Sequence, residues 1–222
     1  MGDQTFGGLT AGELQEVEDF HGHMCPGLAL GVHAARLALN EIGPHAADEE
    51  VVAVTETDMC GVDAVQYLTG CTFGKGNLIH QDFGKNAFTF YRRSDGRAIR
   101  VVAIPDAMVS DEEHRDLFAK VRAGEATDAE RRRFGELHRA RSMEVLARPA
   151  EDFFTVERFM GVPPPRARIH QTIVCDECGE GAMATRIAEH DGRQLCRPCF
   201  ERATSEPDEA VPARKGPNLL TD

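Results

Sequence analysis

Apolar residues recur at helical spacing through the first part of the chain. The stretch Thr10-Ala-Gly-Glu13 has the form of a capping box, which predicts a helix that runs to about Phe20 and stops at Gly22. A second helix is predicted to begin at Pro26, because proline is favoured at the first helical position. Its apolar residues then follow three or four positions apart, until Gly43-Pro44 ends the helix: Leu28, Val32, Ala35, Leu39 and Ile42.

Shorter apolar runs with turn residues between them predict strands and further helices. Residues 51–55 have the pattern of a buried strand, and a short helix is predicted over 61–69. The segment 71–85 is rich in Gly, Lys and Asn, which predicts a loop. Two strands are predicted over 87–91 and 98–104, with a turn at 94–96. Two amphipathic helices are predicted to follow, over about 111–122 and 127–147. Residues 153–165 are predicted to be a connector, since prolines occupy positions 163–165.

Four cysteines near the end of the chain are spaced as zinc ligands. Cys175 and Cys178 form one C-x2-C pair, and seventeen residues separate it from the pair Cys196 and Cys199. Four thiolates satisfy tetrahedral zinc and leave no open position, so the predicted site is structural. Two disulfides would need an oxidising compartment, and a redox motif would need only one such pair. A short helix predicted after Cys199 is similar to that of a treble-clef zinc finger.

These patterns divide the chain into four segments. Residues 1–150 form the predicted core, 151–169 a connector and 170–203 the four-cysteine zinc finger. The last segment, 204–222, is polar and contains several prolines, and it is predicted to be disordered.

The charge balance argues against nucleic acid as a partner. The chain has 37 acidic and 25 basic residues, and its net charge is −12. Proteins that bind nucleic acid gain most of their affinity from Lys and Arg, and the one basic cluster, at 131–133, is predicted to be a solvated helix face. No apolar run approaches the eighteen residues or so of a membrane helix, and the first residues do not resemble a secretion signal. We therefore expect a cytoplasmic protein.

A second group of metal-binding side chains surrounds the start of the second helix. His21, His23 and Cys25 directly precede Pro26, so Cys25 is predicted to cap the helix, where the dipole favours a thiolate. His23 is the preferred imidazole and His21 the second, because residues two apart in extended chain point to the same side. Cys60 repeats the arrangement before the helix at 61–69, with Asp63 in the first turn of that helix.

These residues predict a half-open transition-metal site or a reactive thiol centre. The alternative is that the cysteines are small core residues and that the histidines only donate hydrogen bonds. If the helix dipoles dominate, Cys25 or Cys60 should react with alkylating reagents before Cys71, which follows a helix end. Cys71 itself is compatible with a further ligand, a resolving thiol or a buried core residue, and we favour the last.

The loop after the third helix contains glycines and polar residues that could hold an anionic group. It departs from a phosphate-binding loop, because three residues rather than four separate Gly70 from Gly74 and Gly76 replaces the usual Ser or Thr. Lys75, Asn77 and the glycine amides remain candidates for such a ligand. Asp82 and Lys85 are polar neighbours in sequence, and a plain solvated loop explains them equally well.

Three sequence blocks resemble a known family. FHGHMCPGLALGVHAA, CGVDAVQYLTGCTFGKGNL and DFGKNAFTFYRR, within residues 14–147, are similar to the family of the E subunit of formylmethanofuran dehydrogenase. The resemblance implies an α+β core with a mixed sheet and packed helices, a homodimer, and a His/Cys metal site. By position it implies catalytic roles for Cys25, Cys60, Asp63 and Lys75, cofactor-binding roles for Asn77, Asp82 and Lys85, and core metal ligands among His21, His23, Cys25 and Cys60.

The family name implies a role beside a molybdenum or tungsten pterin enzyme that reduces carbon dioxide onto methanofuran. We therefore expect an accessory or redox metalloprotein of molybdopterin-type one-carbon metabolism, with structural zinc in the finger and a second transition metal in the core. A stand-alone metal- or thiol-dependent enzyme is the first alternative. A zinc-finger regulator is the second, and it would need a basic face built from Arg186, Arg193, Arg197 and Arg202.

Overall fold

The computed structural model describes residues 5–44, 48–108 and 111–205. The chain forms two compact units, Met1–Ala167 and Arg168–Asp222. The predicted disordered tail falls outside the described residues, apart from its first two positions, 204 and 205. None of the helices in the described ranges is both long and apolar enough to cross a membrane.

The first unit begins with a small hairpin and three helices that follow the predicted boundaries. Strands β1 (Thr5–Phe6) and β2 (Leu9–Thr10) lead into α1 (Ala11–His21), whose capping box at Thr10 and Glu13 is present. The next helix, α2, spans Pro26–Ile42. After strand β3 (Val51–Thr55), helix α3 spans Gly61–Thr69 and ends at Gly70, which has a left-handed conformation.

A mixed five-stranded sheet forms the second layer of this unit. Its other strands are β4 (Leu78–His80), β5 (Ala87–Arg92), β6 (Arg97–Ala103) and β7 (Phe154–Met160), and the order is β4-β3-β5-β6-β7. Strands β3 and β4 are parallel, and all other neighbours are antiparallel. Helices α4 (Glu112–Ala123) and α5 (Asp128–Ala147) and a short 3-10 turn (Ala150–Asp152) lie between β6 and β7. The predicted α+β class is confirmed.

Two predicted irregular segments contain strands. The loop at 71–85 contains β4, and the connector at 153–165 contains β7, so the sheet continues past the predicted end of the core at residue 150. Both are edge strands, and each has only one neighbour in the sheet as described. Each of these segments forms a strand because it pairs with a strand from elsewhere in the chain. A local sequence pattern does not contain information about such a pairing.

Helix α2 lies at the centre of the hydrophobic core. Phe88 and Phe90 of β5 and Ile99 of β6 are completely buried within it. Helix α3 approaches α2 so closely that a Cβ atom added at Gly31 would lie 2.3 Å from the carbonyl oxygen of Gly61. Glycine at 31 is therefore required for the two helices to cross at this point, and this crossing brings the start of α3 towards the start of α2.

The second unit is small and contains little apolar core. Two hairpins, β8–β9 (Thr172–Val174 and Gly181–Met183) and β10–β11 (Ile187–His190 and Arg193–Cys196), are followed by α6 (Arg197–Thr204). A 3-10 turn over Ala184–Arg186 joins the hairpins. Its buried cluster consists of Leu195 and three cysteines. So few buried side chains do not stabilise a domain on their own, which agrees with the predicted zinc finger.

Candidate metal centres

The four cysteines of the finger converge on one point. Their sulfurs all lie within 4.8 Å of one another, and Cys178 Sγ is 3.7 Å from Cys196 Sγ. Zinc–sulfur bonds near 2.3 Å place the sulfurs of a tetrahedral site about 3.8 Å apart, so the donor set fits zinc. Backbone amides, chiefly those of Cys178 and Cys196, lower the pKa of Cys175 to about 6, which favours the thiolate that zinc requires.

A second cluster forms where three helices of the core meet. His21 is the last residue of α1, Cys25 directly precedes α2 and Cys60 directly precedes α3. One ligand atom from each residue lies within 4.8 Å of the other two, and His21 Nε2 is 4.0 Å from Cys25 Sγ. Two sulfurs and an imidazole nitrogen are a donor set that suits zinc and similar metals.

Asp63 orients the histidine of this core cluster. Its Oδ2 lies 2.7 Å from His21 Nδ1, so the carboxylate accepts the Nδ1 proton. This contact fixes the tautomer in which Nε2 carries a lone pair, and Nε2 is the nitrogen near Cys25. Carboxylate–histidine pairs of this kind orient ligands in metal sites. The contact gives Asp63 a positioning role towards His21, and the catalytic role that the resemblance implies for it stays a prediction.

The two core cysteines differ more than their sequence positions suggest. Cys25 caps α2 as predicted, and its sulfur accepts a hydrogen bond of 3.3 Å from the amide of Leu28. Cys60 has helical φ and ψ angles and makes no capping hydrogen bond. Cys25 is 4% exposed, and burial raises the pKa of its thiol to about 11 despite the helix-start amides. The expectation that the helix dipole would dominate at Cys25 is therefore wrong.

His23, the preferred imidazole in the sequence analysis, is not part of the cluster. Its side chain is exposed, and its ring lies 4.6 Å from the ring of His21. The structure therefore reverses the predicted order of the two histidines. The reason is that α1 continues to His21, so its side chain follows the helix rather than an extended chain.

The polar loop residues separate into two groups at opposite ends of β3. Buried Asn77 donates to the carbonyl of Val51 and accepts from the amide of Thr72, both at 3.0 Å, so its amide holds the loop in place. Buried Cys71 also donates to Val51, at 3.4 Å, and burial raises the pKa of its thiol. The positive charge of Lys75 opposes this increase in the pKa of Cys71, which indicates that Lys75 lies near the thiol.

Val51 begins β3, whereas Cys60 follows its end, and the strand is about 13 Å long. Lys75 and Asn77 therefore lie at the far end of β3 from the core cluster, and a cofactor-binding role for Asn77 is not supported. Asp82 and Lys85 are exposed at the near end, where the amide of Lys85 donates to the carbonyl of Glu56. Their roles remain predictions.

Comparison with known proteins identifies the family of the core. The family model described as "FmdE, Molybdenum formylmethanofuran dehydrogenase operon" matches residues 20–155, more than half of the 222 residues. The chain belongs to the FmdE family. A second model, the prokaryotic dksA/traR C4-type zinc finger, matches residues 162–204, which include all four finger cysteines.

Two relatives match most of the length of this FmdE chain. A probable S-adenosyl-L-methionine-binding protein from Archaeoglobus fulgidus is 37% identical over 196 residues, which are 84% of this chain and 52% of the relative. The chain thus spans about half the length of that curated relative. A solved structure of a tungsten formylmethanofuran dehydrogenase FmdE-like protein from Syntrophus aciditrophicus has a TM-score of 0.58 and 24% identity. It matches 93% of this chain and all of its own, and it shares the fold.

The sequence analysis did not identify the glycines that allow the core cluster of His21, Cys25 and Cys60 to form. A Cβ added at Gly27 would lie 3.3 Å from the Cβ of Cys60 and 3.9 Å from both core sulfurs. With Gly31 one turn later, Gly27 forms a G-x-x-x-G pattern on the face of α2 that meets α3. That spacing was the available signal, because two small residues one turn apart let helix backbones approach closely.

Proposed function

We propose that the FmdE core binds a transition metal through Cys25, Cys60 and His21 and leaves one coordination position for an external ligand. The observation that carries this proposal is the convergence of the three ligand atoms within 4.8 Å, together with the contact between Asp63 and His21 Nδ1. A histidine that only filled core space would not need a carboxylate to direct its second nitrogen towards two thiols.

Three protein ligands suit a working metal site better than a structural one. Catalytic zinc sites commonly use three protein ligands, including two cysteines with one histidine, and the fourth position takes water or substrate. A metal held in this way would act as a Lewis acid on a bound ligand. In this arrangement Cys25 and Cys60 hold the metal, His21 completes the set, and Asp63 keeps the histidine in the correct tautomer.

The wider role that we propose is an accessory or redox function in molybdopterin-type one-carbon metabolism. The protein would act as a cytoplasmic homodimer beside a molybdenum or tungsten pterin enzyme. The description of the family and the name of the Syntrophus aciditrophicus protein support the link to such an enzyme. A protein that delivers metal or contacts a partner enzyme needs a site that exchanges its ligands, and an open coordination position meets that need.

A stand-alone metal-dependent enzyme is the second candidate, because the same ligand set occurs in catalytic zinc sites. A nucleic-acid regulator has weaker support. Glu177 forms ion pairs with Arg193 and Arg202, and Glu201 forms one with Arg197. The charges of three of the four arginines in the predicted basic face of the finger are thus balanced by acids.

Metal content tests the proposed core site. The full chain should contain two metal ions, and Cys60→Ser and His21→Ala should each lose one while the finger keeps its zinc. Cys71→Ser is the matched control, since this buried thiol lies outside both clusters, and it should retain two ions. One ion per chain in the wild-type protein, unchanged in Cys60→Ser, would exclude the core site.

Cobalt substitution tests whether the fourth position is open. Azide or S-adenosyl-L-methionine should change the visible spectrum of cobalt in the core but not that of cobalt in the finger. A chelator added to the zinc protein should remove the core metal first if the protein delivers metal. If the core metal resists the chelator but responds to azide, the stand-alone enzyme is favoured. A core spectrum that no added ligand changes would contradict an open position.

A further inference from the structure

Arg202 lies beside the cysteines of the finger, on the helix α6 that contains Cys199. Its Nη2 is 2.9 Å from Cys199 Sγ, which lies about one turn earlier in the same helix. The same nitrogen is 3.3 Å from Oε1 of Glu177, a residue between the two cysteines of the first C-x2-C pair. Each terminal nitrogen of a guanidinium carries two N–H groups, so Nη2 can donate to the sulfur and to the carboxylate at once.

The sulfurs of the two C-x2-C pairs receive their hydrogen bonds from different sources. In the first pair, Cys175 Sγ accepts a bond of 3.3 Å from the backbone amide of Cys196. In the second pair, Cys199 Sγ accepts from the side chain of Arg202. A hydrogen bond from a charged donor is stronger than one from a neutral amide. Unlike the backbone contact at Cys175, this one can be removed by a single substitution.

The charge of the zinc site increases the need for such a donor. Four thiolates around one Zn²⁺ leave an excess of negative charge, and three of the four cysteines are buried: Cys175, Cys196 and Cys199. The carboxylate of Glu177 adds a further negative charge close to the first pair. Arg202 supplies a positive charge between this carboxylate and the sulfur of Cys199. Its guanidinium therefore reduces the repulsion between the two pairs.

The ion pair with Glu177 orients the guanidinium. Glu177 also contacts Arg193, whose Nη1 lies 3.6 Å from its Oε2, so the carboxylate is held from two sides. An exposed ion pair of this kind contributes little to stability by itself. The contact of Arg202 with the sulfur is therefore the one that should affect the metal.

We propose that Arg202 is a positioning residue of the zinc site, which donates an N–H group to the thiolate of Cys199 and thereby slows the release of zinc from the finger. The inference concerns residues of the finger alone, so it does not depend on the proposed function of the core. Removal of a residue that donates to a metal ligand commonly lowers metal affinity by about 10–100-fold.

The rate of zinc release from the full chain tests this role. Cys60→Ser serves as the background, because it removes a ligand of the core cluster and the released zinc then comes from the finger. With excess chelator and a chromophoric zinc indicator, Arg202→Ala should release zinc at least about tenfold faster than the background. Arg202→Lys keeps a charged donor and should give an intermediate rate. The matched control is Arg197→Ala, since exposed Arg197 of the same helix pairs with Glu201 at 3.0 Å, and its rate should equal that of the background.

Cobalt in place of the finger zinc distinguishes a bond to sulfur from a general loss of stability. Without its N–H donor, the thiolate of Cys199 becomes a stronger electron donor to the metal. The sulfur-to-cobalt charge-transfer band of Arg202→Ala should therefore move to longer wavelength, whereas Arg197→Ala should leave the band unchanged.

Two results would overturn the proposal. The first is an equal rate of zinc release from Arg202→Ala and Arg197→Ala. The second is an unchanged charge-transfer band in Arg202→Ala, even with faster release, which would mean that the ion pair with Glu177 matters and the sulfur contact does not. If Arg202→Ala retains no zinc, Arg202→Lys gives the same two comparisons, with its folding checked by circular dichroism.

Discussion

The zinc site of the finger and the proposed metal site of the core differ in what surrounds them, and the difference indicates what a metal would do in each. In the finger, four cysteines close the coordination sphere, and Leu195 is the only other side chain of the buried cluster among the described residues. In the core, two cysteines and one histidine lie beside a large apolar core built from α2, α3 and the sheet. Metal binding should therefore stabilise the fold of the finger, whereas in the core the fold should hold the metal.

The largest expected effect is on the folding of the finger. Cys178→Ser should remove its zinc and unfold residues 172–204, because structural zinc contributes about 10–16 kcal/mol to such modules. Cys60→Ser is the paired variant, and it should leave both units folded. Hydrogen exchange measured by mass spectrometry follows each unit separately. Retained protection of β8–β11 in Cys178→Ser would show that the finger folds without its metal. The expected difference between the finger and the core would then be wrong.

The next effect concerns the packing that shapes the core site. Gly31→Ala would place a Cβ 2.3 Å from the carbonyl oxygen of Gly61, so the helices must separate. We expect a loss of about 3 kcal/mol or more in the free energy of unfolding of the core, measured with denaturant. Gly135→Ala is the matched control, since nothing lies within 4 Å of its added Cβ and it is exposed on α5. That change should stabilise the core by about 1 kcal/mol. Equal stability of the two variants would contradict the close crossing of α2 and α3.

Local signals in the sequence predicted the helices of the core well. The boundaries of α1 and α2 depend on a capping box, a first-turn proline and glycine stops, all of which act within a few residues. Strands β4 and β7 were missed because each needs a partner from another part of the chain. The metal ligands of the finger were correctly grouped for the same local reason, since each C-x2-C turn already places two sulfurs together.

The core site could be predicted only as a set of residue types. Which histidine contributes depends on where α1 ends, and the contact between Asp63 and His21 joins residues 42 positions apart. The high pKa of Cys25 results from burial under the whole core, which overrides the local dipole. Signals within a few residues therefore predicted where the helices end. They did not predict the protonation states of the side chains at those ends, because these depend on burial.

A moderate effect is expected from the carboxylate behind the core histidine. Asp63→Ala should weaken core metal binding by about 10–100-fold, because His21 loses the group that fixes its tautomer. Competition with a chromophoric chelator measures this affinity, and the free energy of unfolding should change little, since Asp63 is partly exposed. The matched control is Asp58→Ala, an exposed acid two residues before Cys60. Equal losses in both variants would mean that the negative charge matters and the contact with His21 does not.

The smallest effect concerns the order in which thiols react once the metal is removed. The finger cysteines should be alkylated first, because their unit loses its fold with its zinc. In the core, half-buried Cys60 should react next, whereas Cys25 and Cys71 are at most 4% exposed and burial raises the pKa of both thiols. Alkylation of the metal-free protein at neutral pH, mapped by mass spectrometry over time, gives the order. If Cys25 reacted as fast as the finger cysteines, the core would also depend on its metal for folding, and the contrast between the two centres would disappear.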